Sequence, residues 1–203
     1  MKFRLALALI LVSFSALPLF AQSNEIGLWY AGSRVSNTND GDARLKFDTG
    51  SGSGFSAGHY WGNHIATVLA YTSTEADGTI SVAGTPVIDA GKLKLKLFTV
   101  TADWHFARKA MLDPYAGIGF VDVQVDDLTS NDLVAAGAAP VAVENDSGWS
   151  ANAGVNVNFA RHWGVGIDGK YFRYHPRTTS AGVDTGRLDL NPIVVSVGLR
   201  LRF

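Results

Sequence analysis

The chain has 203 residues, no cysteine, and 17 Lys+Arg against 18 Asp+Glu. The missing thiols exclude a disulfide framework and thiolate metal sites, and the near-neutral balance supplies no basic field for nucleic acid. Length fits one all-β domain.

The first element is a leader. Lys2 and Arg4 precede an uncharged stretch from Leu5 to Ala21, interrupted by Pro18. This is the pattern of a secretory signal peptide, so residues 1–21 are read as that peptide, cleaved after Ala21, and 22–203 as the exported domain. An uncleaved membrane helix is the other reading, disfavoured by marginal length, by Pro18 and by the lack of a basic stop signal. Without Lys2 and Arg4, 15 basic residues face 18 acidic ones, a formal charge of −3. No later apolar run approaches a membrane helix, so a bilayer span here has to be a closed sheet.

Strands are predicted at 25–36, 52–61, 65–74, 91–106, 114–126, 148–159, 163–175 and 193–203. The first three allow either phase. In the fourth, Phe98, Val100, Ala102 and Trp104 alternate outward against Thr99, Thr101, Asp103 and His105. Extending that phase upward sets Lys94 and Lys96 outside and Leu93, Leu95 and Leu97 inside. A segment that has left the membrane as an amphipathic hairpin has the same pattern, and the two readings stay open. In the fifth, Ile118 and Phe120 share a face with Asp122 while Val121, Val123 and Val125 take the other. A bulge or a membrane exit that shifts the register is expected there.

The last three strands are clearer. The sixth sets Ala151, Ala153, Val155, Val157 and Phe159 outward against Ser150, Asn152, Gly154, Asn156 and Asn158. The seventh sets Trp163, Val165, Ile167 and Tyr171 against Gly164, Gly166, Asp168, Lys170 and Phe172. The eighth sets Ile193, Val195, Val197, Leu199, Leu201 and Phe203 against Val194, Ser196, Gly198, Arg200 and Arg202. Large apolar groups on one face with small or charged groups on the other suit lipid outside and a polar interior.

Connections alternate in length. Those at 61–65, 106–114 and 159–163 are tight, and those at 37–51, 75–90, 127–147 and 176–186 are longer and polar, with an apolar stretch at 133–143. Short periplasmic turns and long outer loops are the pattern of an eight-stranded antiparallel transmembrane β-barrel in the outer membrane of a Gram-negative bacterium. Trp61, Trp104, Phe106, Phe159, Trp163 and Phe203 fall near the periplasmic ends, and Trp149, Tyr171 and Tyr174 towards the other rim, as interfacial girdles do. The histidines are scattered without metal-ligand spacing, and GSGSG at 50–54 does not open a helix, so no metal, cofactor or phosphate site is expected.

Several segments resemble the outer-membrane protein W (OmpW/AlkL) family, which includes alkane-uptake barrels. They are SGFSAGHYWGNHIATVLA (53–70), FTVTADWHF and DPYAGIGF (98–106 and 113–120), GWSANAGVNVNFARHWGVGIDGKYF (148–172) and LDLNPIVVSVGLRLRF (188–203). The resemblance implies an eight-stranded outer-membrane barrel with a narrow apolar interior that passes small hydrophobic molecules from outside into the bilayer by a side exit. The chain departs from the family around 30–51, where the usual proline after the first strand is absent.

On this reading Leu93, Leu95, Leu97, Phe172, Tyr174, Leu188 and Leu190 are candidates for an apolar upper lumen. Asp103, His105, Asp168, Lys170, Arg200 and Arg202 are candidates for a polar plug below it, which a barrel this small accommodates as simple filling. Gly117, Gly119 and Pro192 are the positions where wall hydrogen bonding is expected to be interrupted. Phe203 resembles the signal that barrels present to the outer-membrane insertion machinery. Expected partners are the lipid bilayer and lipopolysaccharide, whose phosphates the outward lysines would meet, that machinery, and small hydrophobic solutes. The alternative is a structural or surface-interaction barrel without transport. A lipid-modifying enzyme built on His175, Ser180 and Asp184 is a third reading, but no acyl-transfer motif surrounds them, and no catalytic residue is assigned.

Overall fold

The computed structural model describes residues 23–35, 38–40, 43–82, 88–125, 141–143, 145–174, 177–180, 183–187 and 191–203. Eight strands form the wall: β1 (Asn24–Arg34), β2 (Gly50–Tyr60), β3 (Ile65–Val82), β4 (Ile88–His105), β5 (Leu112–Val125), β6 (Asp146–Asn158), β7 (Trp163–Arg173) and β8 (Ile193–Arg202). Each is antiparallel to its sequence neighbours. The first strand pairs with the last from Glu25↔Arg202 to Arg34↔Ile193, which closes the sheet and leaves no edge in the membrane.

The side chains follow a period of two throughout. On β8, Val195, Val197 and Leu199 are each about half exposed, whereas Val194, Ser196 and Arg200 are buried. Exposed Leu28, Phe55, Ile118, Phe120 and Ile167 continue that outer surface around the wall. In water such a surface would be costly, but against lipid it is the stabilising one. Trp61, Trp104, Phe106, Phe159, Trp163 and Phe203 are exposed at the end that carries the three tight turns. Outward Phe55, Tyr71 and Phe98 pack in series higher up as tilted rings, with centroids 5.6 and 4.7 Å apart. Their rings and Trp149, packed on Tyr171 at 5.9 Å, complete an upper aromatic belt.

Four expectations are corrected. First, β3 and β4 continue past residue 74, to Val82 and back from Ile88, as a two-stranded extension above the rim. The register shifts there between Gly78 and Thr79, opposite Gly91, whose φ of 88° only glycine adopts without strain. The short strands Thr38–Asp40 and Ala43–Phe47 extend it, and Arg177–Ser180 pairs with Val183–Arg187 and Val141–Val143 in a small separate sheet.

Second, β5 contains no bulge. Its register is unbroken against both β4 and β6, so Val121, Val123 and Val125 stay inside while Asp122 and Gln124 stay outside. Polarity inverts because the strand leaves the bilayer, not because its phase changes. Third, Gly117 and Gly119 do not interrupt the wall, since both are paired on each side. Fourth, Tyr174 does not join the girdle. It points inward and is 1% exposed.

The phases left open in β1 to β3 are set by the register with their neighbours. Glu25, Trp29, Ala31, Ser56, Tyr60, Ala66 and Thr74 face the interior. The leader, Leu188, Leu190, His175 and residues 133–140 lie outside the described residues, as do the side chains of Ser180 and Asp184.

Candidate functional site: a barrel interior in two layers

The upper interior is apolar. Leu93, Leu95 and Leu97 from β4, Val121, Val123 and Val125 from β5, Phe172 and Tyr174 at the end of β7, and Val194 from β8 form one buried cluster with Ala31, Val35 and Phe47. The leucines are only 1–2% exposed. Alternation on β4 aims them inward while Lys92, Lys94 and Lys96 stay on the outer surface. Lys92 there pairs with Glu75 across the hairpin at 2.7 Å. Each buried Leu, Val or Phe contributes roughly 1.5–3 kcal/mol relative to exposure.

Below this cluster the interior is polar, in two linked networks. In the upper one the Tyr115 hydroxyl donates to Asp168 Oδ1 at 2.6 Å, Lys170 Nζ donates to Asp168 Oδ2, and Asn152 Nδ2 donates to Asp103 Oδ1 at 3.1 Å. Tyr115 reaches across because β6 offers Gly154 beneath it, where a Cβ would stand 2.6 Å from the phenol oxygen. The lower network centres on Glu25. It accepts from Arg200 Nε at 2.7 Å, from Arg202 Nε at 3.0 Å and from the Tyr60 hydroxyl at 3.0 Å. Arg202 also reaches Asp113 at 3.3 Å, which is 2.8 Å from His105 Nδ1. His105 stacks on Tyr115, with centroids 5.1 Å apart, and so joins the two networks.

All six residues read as polar-plug candidates, Asp103, His105, Asp168, Lys170, Arg200 and Arg202, lie within these networks. Leu93, Leu95, Leu97, Phe172 and Tyr174 lie together in the cluster above. Sequence reading missed Glu25, Tyr60, Asp113 and Tyr115, and set Asn152 inward without making it a plug candidate. Three of these sit within two residues of a strand end, where too little alternation precedes them to fix a face.

Charges this deep are stable only when paired, and here carboxylates and cations alternate through the layer. The space left among them is a cavity of about 40 Å³, lined in part by Trp29, Tyr60, Asn156 and Ser196. It has room for only a few water molecules. The chemistry of this interior is therefore exclusion: a polar, filled lower half beneath an apolar upper half. Among the described residues no cluster of His, Asp and Glu is arranged for a metal.

Among the described residues, backbone pairing gives way to side-chain and proline contacts at the β7–β8 rim. The ladder between β7 and β8 ends at Tyr171↔Ile193. Above it, Phe172 N–H bonds to the Pro192 carbonyl at 3.0 Å, and Tyr174 N–H donates to the Asn191 side-chain oxygen at 3.4 Å. Pro192 has no N–H to contribute, and Asn191 has a φ of 24°.

Residues 6–203 match the family model described as outer membrane protein beta-barrel domain. Among solved structures, OprG from Pseudomonas aeruginosa superposes with a TM-score of 0.75 at 12% identity, over 90% of this chain and 97% of that one. AlkL, determined in DMPC bilayers, gives 0.63 at 14% identity, over 93% and 94%. Neisserial surface protein A gives 0.62 at 15% identity, over 91% and 99%. At these identities the likeness is one of fold. No curated protein matches the chain in sequence.

Proposed function

We propose that this chain, which belongs to the outer membrane protein β-barrel domain family and resides in the outer membrane of a Gram-negative bacterium, admits small hydrophobic molecules into its upper interior and releases them sideways into the bilayer. The supporting observation is the division of the interior: the cluster of Leu93, Leu95, Leu97, Phe172 and Tyr174 stands directly above the Asp103, Asp168 and Lys170 layer. A hydrophobic solute gains free energy among the leucines and loses it on displacing charged, hydrogen-bonded groups. Passage straight down is blocked on both steric and electrostatic grounds. Lipid beside the wall is as apolar as the solute, so the favourable exit is lateral. We place it at the β7–β8 rim, where the ladder gives way to the Asn191 and Pro192 contacts beside Phe172 and Tyr174.

The test is uptake of a hydrophobic fluorescent probe by cells producing either the parent or Leu95→Asn/Leu97→Asn, at matched levels of folded barrel. Uptake in the double variant is expected to fall to that of cells without the protein, while Thr99→Ser, one step below on the same inner face, retains parental uptake. Parental uptake by the double variant would reject the conduit. The dense packing of both layers, with a central cavity of about 40 Å³, favours the second reading in that event: a structural or surface-interaction barrel whose loops contact partners.

A further inference from the structure

The three tight periplasmic turns, 61–64, 106–111 and 159–162, contain Arg108, Lys109 and Arg161 and not one carboxylate. The second and third turns are held side by side. Asn158 donates its backbone N–H to the Met111 carbonyl and its Nδ2 to the Ala110 carbonyl, both at 2.8 Å. Between these turns lies an open cleft of about 490 Å³, lined by Arg108, Lys109, Met111, Asn158, Arg161 and Arg202. Glu25 and Asp113 face the barrel interior, where they hold Arg200 and His105 and also pair with Arg202 at the inner edge of the cleft, so the charge of Arg202 is already met. Neither Lys109 nor Arg161 has an ion-pair partner among the described residues, and both side chains are exposed.

The turns that bound the cleft also carry the aromatic girdle. Phe106, Phe159 and Trp163 are exposed on or beside them, and Met111, which lines the cleft, is exposed next to Leu112, which pairs with Val157 on the lipid-facing wall. A cationic hollow at the level of the aromatic girdle, continued by an apolar track along the wall, has the shape of one lipid: phosphate below, acyl chains above. We infer that this cleft is a binding site for an anionic glycerophospholipid of the periplasmic leaflet, with Lys109 and Arg161 holding the headgroup phosphate and the Met111, Leu112 and Val157 surface carrying the chains. Arg108 is fixed by its bond to the Gly62 carbonyl at 2.6 Å and by its stacking over Tyr60, and it shapes the wall of the cleft.

Native mass spectrometry of the folded full barrel released from detergent tests the site, with phosphatidylglycerol, phosphatidylcholine and inorganic phosphate as probes. The parent is expected to retain one phosphatidylglycerol in preference to phosphatidylcholine. Lys109→Gln/Arg161→Gln should weaken that retention on the order of tenfold or more, as expected for two cations near an anionic headgroup. Lys109→Arg should retain it, and so should Lys46→Gln at the other end of the barrel. Equal retention of both lipids, or of phosphatidylglycerol by parent and double variant, overturns the site. Displacement of the lipid by millimolar inorganic phosphate overturns the lipid assignment. Where the double variant does not fold, Lys109→Gln alone decides: it changes an exposed turn residue, and undiminished retention rejects the role of Lys109.

Discussion

Glu25 and Arg200 lie 175 positions apart in the chain and meet inside the barrel, with Arg200 Nε 2.7 Å from Glu25 Oε1. They belong to the first and last strands, so their pairing bridges the seam at which the sheet closes. Closure cannot occur until the whole chain is present. The contact thus ties a buried charge network to closure of the sheet.

Removing one partner should be far more harmful than removing both. Glu25→Ala leaves Arg200, which is 3% exposed, with only the Tyr60 hydroxyl as a polar partner. A loss of about 3–5 kcal/mol is expected, as for other broken buried pairs. Glu25→Ala/Arg200→Met should recover part of it. Urea unfolding in lipid vesicles measures both, and a double variant no more stable than the sum of its single changes would show that the two groups are uncoupled.

The lipid-facing surface can be probed by depth. Val197→Arg places a charge on the outward face of β8, four residues below Ile193 at the rim. It should destabilise by about 2–4 kcal/mol near the midplane, whereas Ile193→Arg, with its charge at the interface, should cost about 0–1 kcal/mol. Alternation alone makes Ser196→Arg a natural interior control. The structure disqualifies it, because Ser196 borders a cavity of only about 40 Å³ and an arginine would overpack it. Equal costs at 193 and 197 would displace the barrel from its assigned depth.

The strands that could be read from sequence were those in which one face is large and apolar and the other small or charged. Strands β6, β7 and β8 meet that condition and their faces are as predicted. Strand β2 does not, since Gly50 to Gly54 has only Gly and Ser on both faces and Phe55 stands alone, and pairing with β1 and β3 sets its phase. In β5 the membrane exit was one of the two expected accounts, and what does not hold is the register shift: Asp122 is outward in an unbroken ladder. The interior partners of Arg200 and Arg202 were hidden for another reason. Glu25 and Asp113 are 175 and 89 positions from the arginines they hold, and no local pattern links such residues.

Acid should affect the hairpin above the membrane in a defined order. The Lys92 ammonium, hydrogen-bonded to Glu75, lowers the carboxyl below its ordinary range, and the Glu75 carboxylate in turn raises Lys92. A depressed carboxyl favours the folded hairpin above its unfolded pKa and loses that contribution as pH falls through the folded value. The pair therefore persists to a pH below the usual carboxylate midpoint. NMR titration of the Glu75 side chain should show a lowered midpoint that rises in Lys92→Met. An unchanged midpoint in that variant would remove Lys92 as the cause. Both side chains are exposed, so little global stability is at stake.

The terminal aromatic allows assembly to be separated from stability. Phe203 N–H bonds to the Asn24 carbonyl, and Asn24 N–H bonds to the Phe203 carbonyl, both at 3.0 Å. Its ring is 45% exposed. Deleting the residue would therefore remove two bonds that help close the β1–β8 seam as well as the ring, and a defect could not be assigned to either. Phe203→Ala keeps the backbone pairing and removes only the ring. If the ring is the signal read by the insertion machinery, this variant should reach the outer membrane of cells at a fraction of the parental level. Its unfolding midpoint after refolding into vesicles should stay close to that of the parent. Quantifying heat-modifiable barrel in membrane fractions against unfolding in vesicles makes the comparison. Parental insertion by Phe203→Ala would remove the signal role, and a matched loss in both assays would make the ring a structural girdle residue like Trp163.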